Sequence, residues 1–145
     1  MRAILQRVSK GSVSVDGKLV ADIGLGYVVL LGVGQDDTQE KARELAEKTV
    51  YLRVFGDDEG KMNRSLLDVA GEMIVVSQFT LHADTSRGRR PSFINAAKPE
   101  LAEPLVDYFI EQVRGFGVQV QSGIFGAHMV VDIQNDGPVT VTLEN

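Results

Sequence analysis

The sequence predicts an α+β fold, with a mostly antiparallel or mixed β-sheet and helices packed on one face. Three observations lead there. Strand patterns with turn signals open and close the chain, and two stretches further in carry apolar residues at helical spacing. Between those two stretches lies one short, continuous apolar run of strand type. The order strands, helix, strand, helix, strands segregates helices to one side of a sheet. A doubly wound sheet fits less well, because hairpins begin and end the chain.

The elements follow in order. Arg2 to Ser9 reads as a first strand. Val13 and Val15 on one side of Asp16-Gly17, and Leu19 and Val20 on the other, signal a hairpin, since both turn residues tolerate positive φ. Gly26 to Val33 is continuously apolar, as expected of a central strand covered on both faces. Asp37 followed by Glu40 has the spacing of a capping box. Ala42, Leu45, Ala46, Thr49 and Leu52 then predict an amphipathic helix over 38–53, with Lys41, Arg43, Glu44, Glu47 and Lys48 on its wet face. Asp57-Asp58-Glu59-Gly60 reads as a solvated turn and misses the spacing of a calcium loop. Lys61 to Arg64 leads into a helical turn at Ser65–Asp68, and Glu72 to Val76 is a buried strand. Leu101, Leu105, Tyr108, Phe109, Val113 and Phe116 form one helical stripe, closed by Gly115 and Gly117. Pro99 suits a first helical turn, but Pro104 would remove a backbone bond, which puts the regular helix near Glu103 or a bend there. Val118–Gln121, Met129–Ile133 and Val139–Leu143 read as three more strands.

With 145 residues, 43% of them hydrophobic and 24% charged, the chain suits one domain, 1–145, with a substantial core. No apolar run is long enough to span a bilayer and no signal-peptide pattern opens the chain, which points to the cytoplasm. The lack of cysteine removes thiol chemistry and fits a reducing compartment. A net charge of −5 argues against wrapping a long nucleic acid, while leaving room for gripping one RNA end through a local basic patch. Arg87, Arg89 and Arg90 around Gly88 are the densest positive cluster, readable either as a mobile surface loop or as a phosphate clamp.

Few residues suggest chemistry. His82 and His128 are too few and too far apart for a histidine-rich metal site, and each reads as a surface or satisfied residue. No nucleophile elbow, phosphate-binding loop or dinucleotide fingerprint is present. No metal or cofactor is implied. A nucleophile would have to be Ser77, Thr80 or another hydroxyl, with no base in sight. Such a chain suits an activated ester, for which holding the oxyanion and placing a water can suffice. Where the strand ends at Ser77-Gln78-Phe79-Thr80-Leu81, backbone amides leave the ladder and can face a ligand. Asn135-Asp136-Gly137 signals a turn, yet Pro138 removes a donor where the next strand should pair, and the Gly137–Pro138 isomer is left open.

These two stretches together resemble the signature motifs of D-aminoacyl-tRNA deacylases: Ser77-Gln78-Phe79-Thr80-Leu81 and Asn135-Asp136-Gly137-Pro138-Val139-Thr140. Flanking matches run along the whole chain, at Met1–Ala3 with Gln6–Val8, Leu52–Phe55, Gly60–Asn63, Arg90–Phe93 and Gly123–Ala127. The resemblance implies a homodimer that hydrolyses the ester between a D-amino acid and the 3′-terminal adenosine of tRNA, with glycyl-tRNA as a further substrate. It implies a site at the subunit interface, into which Gly137-Pro138 of one subunit reaches as a cis pair. Carbonyls of that pair would face the substrate's α-amino group and leave no room for an L side chain. Backbone amides of Phe79 and Thr80 would hold the oxyanion, and the substrate's 2′-hydroxyl would assist water. Ser77, Gln78 and Asn135 would belong to the substrate-binding surface, Phe125 would pack on the terminal adenine, and Arg7 would brace the Gly137-Pro138 loop. Position 82 is more often tyrosine in such sequences, so His82 receives no role. Two rival readings are an esterase or amidase with Thr80 as nucleophile, and a non-catalytic module that binds tRNA 3′ ends.

Overall fold

The computed structural model describes residues 1–145. The chain forms β1 (Arg2–Val15), β2 (Lys18–Ile23), β3 (Gly26–Gly32), α1 (Gln39–Tyr51), β4 (Phe55–Gly56), β5 (Met62–Arg64), β6 (Glu72–Ser77), a 3₁₀ turn at Phe79–His82, α2 (Pro99–Gly115), β7 (Val120–Ser122) and β8 (Met129–Glu144). Six strands make one mixed sheet in the order β2-β1-β3-β6-β7, with β8 paired to β1. Pairings of β1 with β2, β3 and β8 are antiparallel, while β3–β6 and β6–β7 are parallel. The α+β expectation with a mixed sheet therefore holds.

β1 explains the architecture. Its first half pairs with β3 and its second half with β2, while β8 follows it along nearly its full length. The hairpin at Asp16-Gly17 is built as expected, with φ of 50° and 74° at the two turn residues. Curling brings β2 towards β7, where the Gln121 side chain donates to the Asp22 carbonyl at 2.6 Å and accepts from its N–H at 3.1 Å. Inside the curl sits a small core of Val8, Val13, Ala21, Ile23, Val28, Ile74 and Val76. The larger core lies on the other face, where α1 and α2 bury Leu45, Val50, Leu105, Phe109 and Val113 against Leu5, Tyr27, Leu31 and Met73. β3 is buried almost throughout, because its neighbours flank it on both edges and apolar layers cover it on both faces.

Several local expectations need correction. Thr38, not Asp37, caps α1, its side chain accepting from Lys41 N–H at 3.4 Å. Asp37 instead accepts from Gly34 N–H and pairs with the Met1 ammonium at 2.7 Å, both groups being almost wholly buried. α2 starts at Pro99 and runs through Pro104. Pro104 lies in the second turn, where it forgoes one bond, to the carbonyl of exposed Glu100, and solvent can serve that carbonyl. Leu101 is exposed, and Ala102, Val106 and Ile110 take the buried places beside Leu105 and Phe109. Met62 to Arg64, read only as leading into a helical turn, forms a short strand against Phe55–Gly56. The two strands expected at the C-terminus are halves of one, β8, so the Asn135–Thr140 stretch is no hairpin turn.

Candidate active site

β6 delivers the first motif to the end of the sheet. Ser77 pairs with Leu31, and Gln78 N–H makes a bond of 2.8 Å to the Leu31 carbonyl. Beyond it the chain turns into the 3₁₀ segment, in which Leu81 N–H donates to Gln78 at 3.3 Å and Ala83 N–H to Thr80 at 3.1 Å. The first amides of a helix have no acceptor within it. Here these are Phe79 and Thr80, and none of the turn and cap bonds uses them. Gln78 donates its side-chain amide to the Thr80 hydroxyl. Phe79 is 57% exposed and meets Phe93 edge-on, with ring centroids 5.0 Å apart.

Beside this segment opens a cavity of about 670 Å³. That is ample for a nucleoside-sized ligand, since small-molecule sites run from about 300 to 1,000 Å³. Its walls bring together three sequence-predicted residues of the first motif, Ser77, Gln78 and Phe79, with Phe125. Most of the remaining lining is apolar, and Lys98 adds a positive charge. Sequence reasoning missed the Ala96–Pro99 wall, which the loop leading into α2 supplies, and the Gly126–Met129 wall, which enters β8. The matches noted at Arg90–Phe93 and Gly123–Ala127 were the available signal. Exposed His128 lines the cavity too. His82 departs from expectation: Nε2 is buried without a hydrogen-bond partner, its ring packed beside Gly32 and Gly34.

The second motif lies elsewhere on the chain. Thr140 pairs with Gln6 and Asn135 with Val8, so residues 136–139 of β8 stand opposite Arg7 alone. This is a broad bulge. Motif side chains replace the missing ladder: Asn135 Nδ2 donates to the Arg7 carbonyl at 3.0 Å and to the Val139 carbonyl at 3.1 Å. Thr140 donates to the Gln6 side chain. Arg7 holds the bulge from within, with Nε 3.1 Å from the Asp136 carboxylate and 3.3 Å from its carbonyl, while Nη1 donates to Val54. The same guanidinium lies near Tyr27, whose buried phenol is pushed well above its ordinary pKa by loss of solvent, an effect that the charge of Arg7 partly offsets. Gly137 and Pro138 form the exposed crest, joined by a cis bond, with φ at Gly137 of 117°.

Within one chain the two motifs stay apart. Three strand spacings (β8 to β1 to β3 to β6) and four residues of register (Arg7 to Ala3) separate them. At about 4.8 Å per strand and 3.3 Å per residue, that is on the order of 10–20 Å. Phe79 thus lines the cavity and Thr80 follows it in the chain without lining it, and Arg7, Asn135, Gly137 and Pro138 do not line it either. No group of three acidic or histidine side chains gathers anywhere in a metal-ligating arrangement.

A largely apolar cavity beside the start of a 3₁₀ turn, with His128 as an imidazole on its wall, defines a class of site that can seat a small ester. The comparisons give the class its family. Residues 4–144 match the family described as D-Tyr-tRNA(Tyr) deacylase. The D-aminoacyl-tRNA deacylase of Fervidobacterium nodosum is 59% identical over 145 residues, covering 100% of this chain and 97% of that protein. Among solved structures, one titled c-Myc DNA Unwinding Element Binding Protein superposes with a TM-score of 0.94 at 42% identity, over 100% of this chain and 99% of the other. A second, titled as a probable eukaryotic D-amino acid tRNA deacylase, shares the fold with a TM-score of 0.84 at 22% identity, over 98% and 97% of the two chains. The chain belongs to the D-Tyr-tRNA(Tyr) deacylase family.

Proposed function

We propose that this chain, a single domain, hydrolyses the ester linking a D-amino acid, or glycine, to the 3′-terminal adenosine of tRNA. The observation that carries the reading is the union of free amides at Phe79 and Thr80 with the apolar cavity beside them. The cavity takes the adenosine, with Phe125 against the base and Ser77 and Gln78 along the wall. Amides at Phe79 and Thr80 hold the carbonyl oxygen as negative charge develops on it, which is where preorganised donors lower a barrier most. Water attacks with help from the substrate's own 2′-hydroxyl. This division of labour asks little acid–base chemistry of the protein, in keeping with a Thr80 hydroxyl whose neighbour is an amide, not a base.

Chirality is assigned to the bulge on β8. The crest lies on the order of 10–20 Å from its own chain's cavity, which supports a homodimer in which it completes the partner's site. There Gly137 and Pro138 of one subunit face the α-amino group in the partner's cavity, where an L side chain would collide with them. Asn135 and Arg7 act at one remove, by holding the crest rigid. No helix here is long and apolar enough to cross a membrane, and a cytoplasmic location suits a tRNA substrate.

Matched D- and L-tyrosyl-tRNA provide the test. Rapid loss of the D ester alone is expected, and equal loss of both, or of neither, would overturn the proposal. Binding of charged tRNA without release of amino acid would support a tRNA-end module in its place.

A further inference from the structure

We infer that the loop carrying Arg87, Arg89 and Arg90 is a clamp for the phosphates of the single-stranded tRNA 3′ end; this rests on the deacylase reading above. Arginines elsewhere in the chain are occupied. Arg2, Arg7, Arg43 and Arg64 each pair with a carboxylate, and Arg53 and Arg114 donate to backbone carbonyls. Arg87, Arg89 and Arg90 are exposed and make no hydrogen bond or ion pair. Three adjacent unpaired cations are costly through mutual repulsion, and in a chain of net charge −5 they are not a by-product of a basic composition.

Their place in the fold gives them a target. The loop is spliced between two walls of the cavity, Ser77–Phe79 before it and Phe93 with Ala96–Pro99 after it. Its base is pinned. Asp84 and Ser92 form an isolated antiparallel bridge, with N–O distances of 2.7 and 2.9 Å, and the Asp84 carboxylate accepts from Ser86 N–H at 2.9 Å. Phe79 and Phe93 touch across the same base. The arginines therefore ride on a loop rooted in the cavity wall, although none of the three lines the cavity itself. An adenosine seated inside must lead its 5′-phosphate, and the nucleotides before it, out past that wall. Arg suits this role because its planar fork meets phosphate oxygens two at a time. The clamp would add affinity for tRNA without reading its sequence, since phosphate contacts position but do not specify.

The test compares two substrates in wild type and in R87Q/R89Q/R90Q. D-tyrosyl-tRNA carries the phosphates, while D-tyrosyl-adenosine presents the same ester without them. For the tRNA ester, kcat should hold while KM rises about tenfold or more, and the slope of log(kcat/KM) against log[salt] should flatten by about 2, at ~0.7 per phosphate contact in a single strand. D-tyrosyl-adenosine should be hydrolysed equally by both proteins. R87K/R89K/R90K, which keeps the charge, should retain most of the salt dependence. An unchanged slope and KM for the tRNA ester would overturn the clamp while leaving the deacylase reading standing. Equal damage to both esters would overturn it too, by placing the arginines' effect in the cavity. Failure of wild type to cleave either ester would sink the deacylase reading and the clamp with it.

Discussion

Adding one methyl group at Gly137 tests the bulge most directly. A Cβ there would lie 2.9 Å from Val139 Cγ2 and 3.1 Å from both Arg7 Nη2 and the Val139 nitrogen. The φ of 117° belongs to a region that side-chain-bearing residues rarely adopt. Holding alanine in such a conformation costs about 1–3 kcal/mol. The crest is exposed and touches no core, so it can relax by a few tenths of an ångström and shed part of that strain. Gly137→Ala should therefore lower global stability by only about 1–2 kcal/mol, read from the urea midpoint at constant slope. Its effect on function should be larger than its effect on folding. Any relaxation pushes on Arg7, which ties the crest to Asp136 and Val54. Because 1.4 kcal/mol is a factor of ten, loosening the crest by that much should cut discrimination between D- and L-tyrosyl-tRNA about tenfold. The assay is parallel hydrolysis of the two esters by the stable fraction of the variant. Lost stability with an intact D-to-L ratio would refute the chirality argument and leave the bulge a purely structural feature.

Other expectations follow from the same geometry. Thr80→Val keeps the backbone amide and removes the hydroxyl that Gln78 contacts; turnover should stay near normal, whereas a nucleophilic threonine predicts near-abolition, a loss on the order of 10⁶, and single-turnover rates separate the two. Asn135→Ala strips partners from the Arg7 and Val139 carbonyls, both part-buried, and should cost about 1–2 kcal/mol by denaturant titration, with weakened enantiomer discrimination. Asp37→Asn leaves the buried Met1 ammonium without its counter-charge, which should cost on the order of 3 kcal/mol at neutral pH. Burial works to raise the Asp37 pKa, but the Met1 ammonium, Gly34 N–H and Lys41 outweigh it and hold the carboxyl below its usual value. A folded pKa lowered in this way contributes stability that is complete above the unfolded value near ~3.9 and is lost as pH falls through the folded one. The stability gap between wild type and Asp37→Asn should therefore be widest above about pH 4 and narrow below it, as followed by thermal melts from neutral pH downwards.

Local rules made much of the fold legible in the sequence. The Asp16-Gly17 hairpin, the buried β3, the stripe of α1 and the strand ending at Ser77 each depend on neighbouring residues, so pattern alone sufficed. Boundaries governed by distant partners were less legible. Asp37 has the spacing of a cap, but the Met1 ammonium, thirty-six residues away in sequence, competes for its carboxylate, and Thr38 takes over the helix. Pro104 argued for a later start to α2. Burial of Ala102, Leu105 and Val106 against the sheet outweighs the single bond it removes.

By itself the sequence determined the family, because both motifs and their flanks are written in contiguous stretches of chain. It also determined the helix-on-sheet class, through the periods of its apolar residues. Only tertiary structure decided that Asn135–Thr140 is a bulge within one long strand and not a turn between two. The ladder to β1 resumes on both sides of it, and Asn135 bonds across the gap to carbonyls that no local pattern could pair with it. Only tertiary structure, likewise, set the cavity between the end of β6, the start of α2 and the entry to β8, and left the crest of the bulge remote from it. Those arrangements arise from strand register and sheet curl, which sum contributions from the whole chain and are encoded at no single position in it.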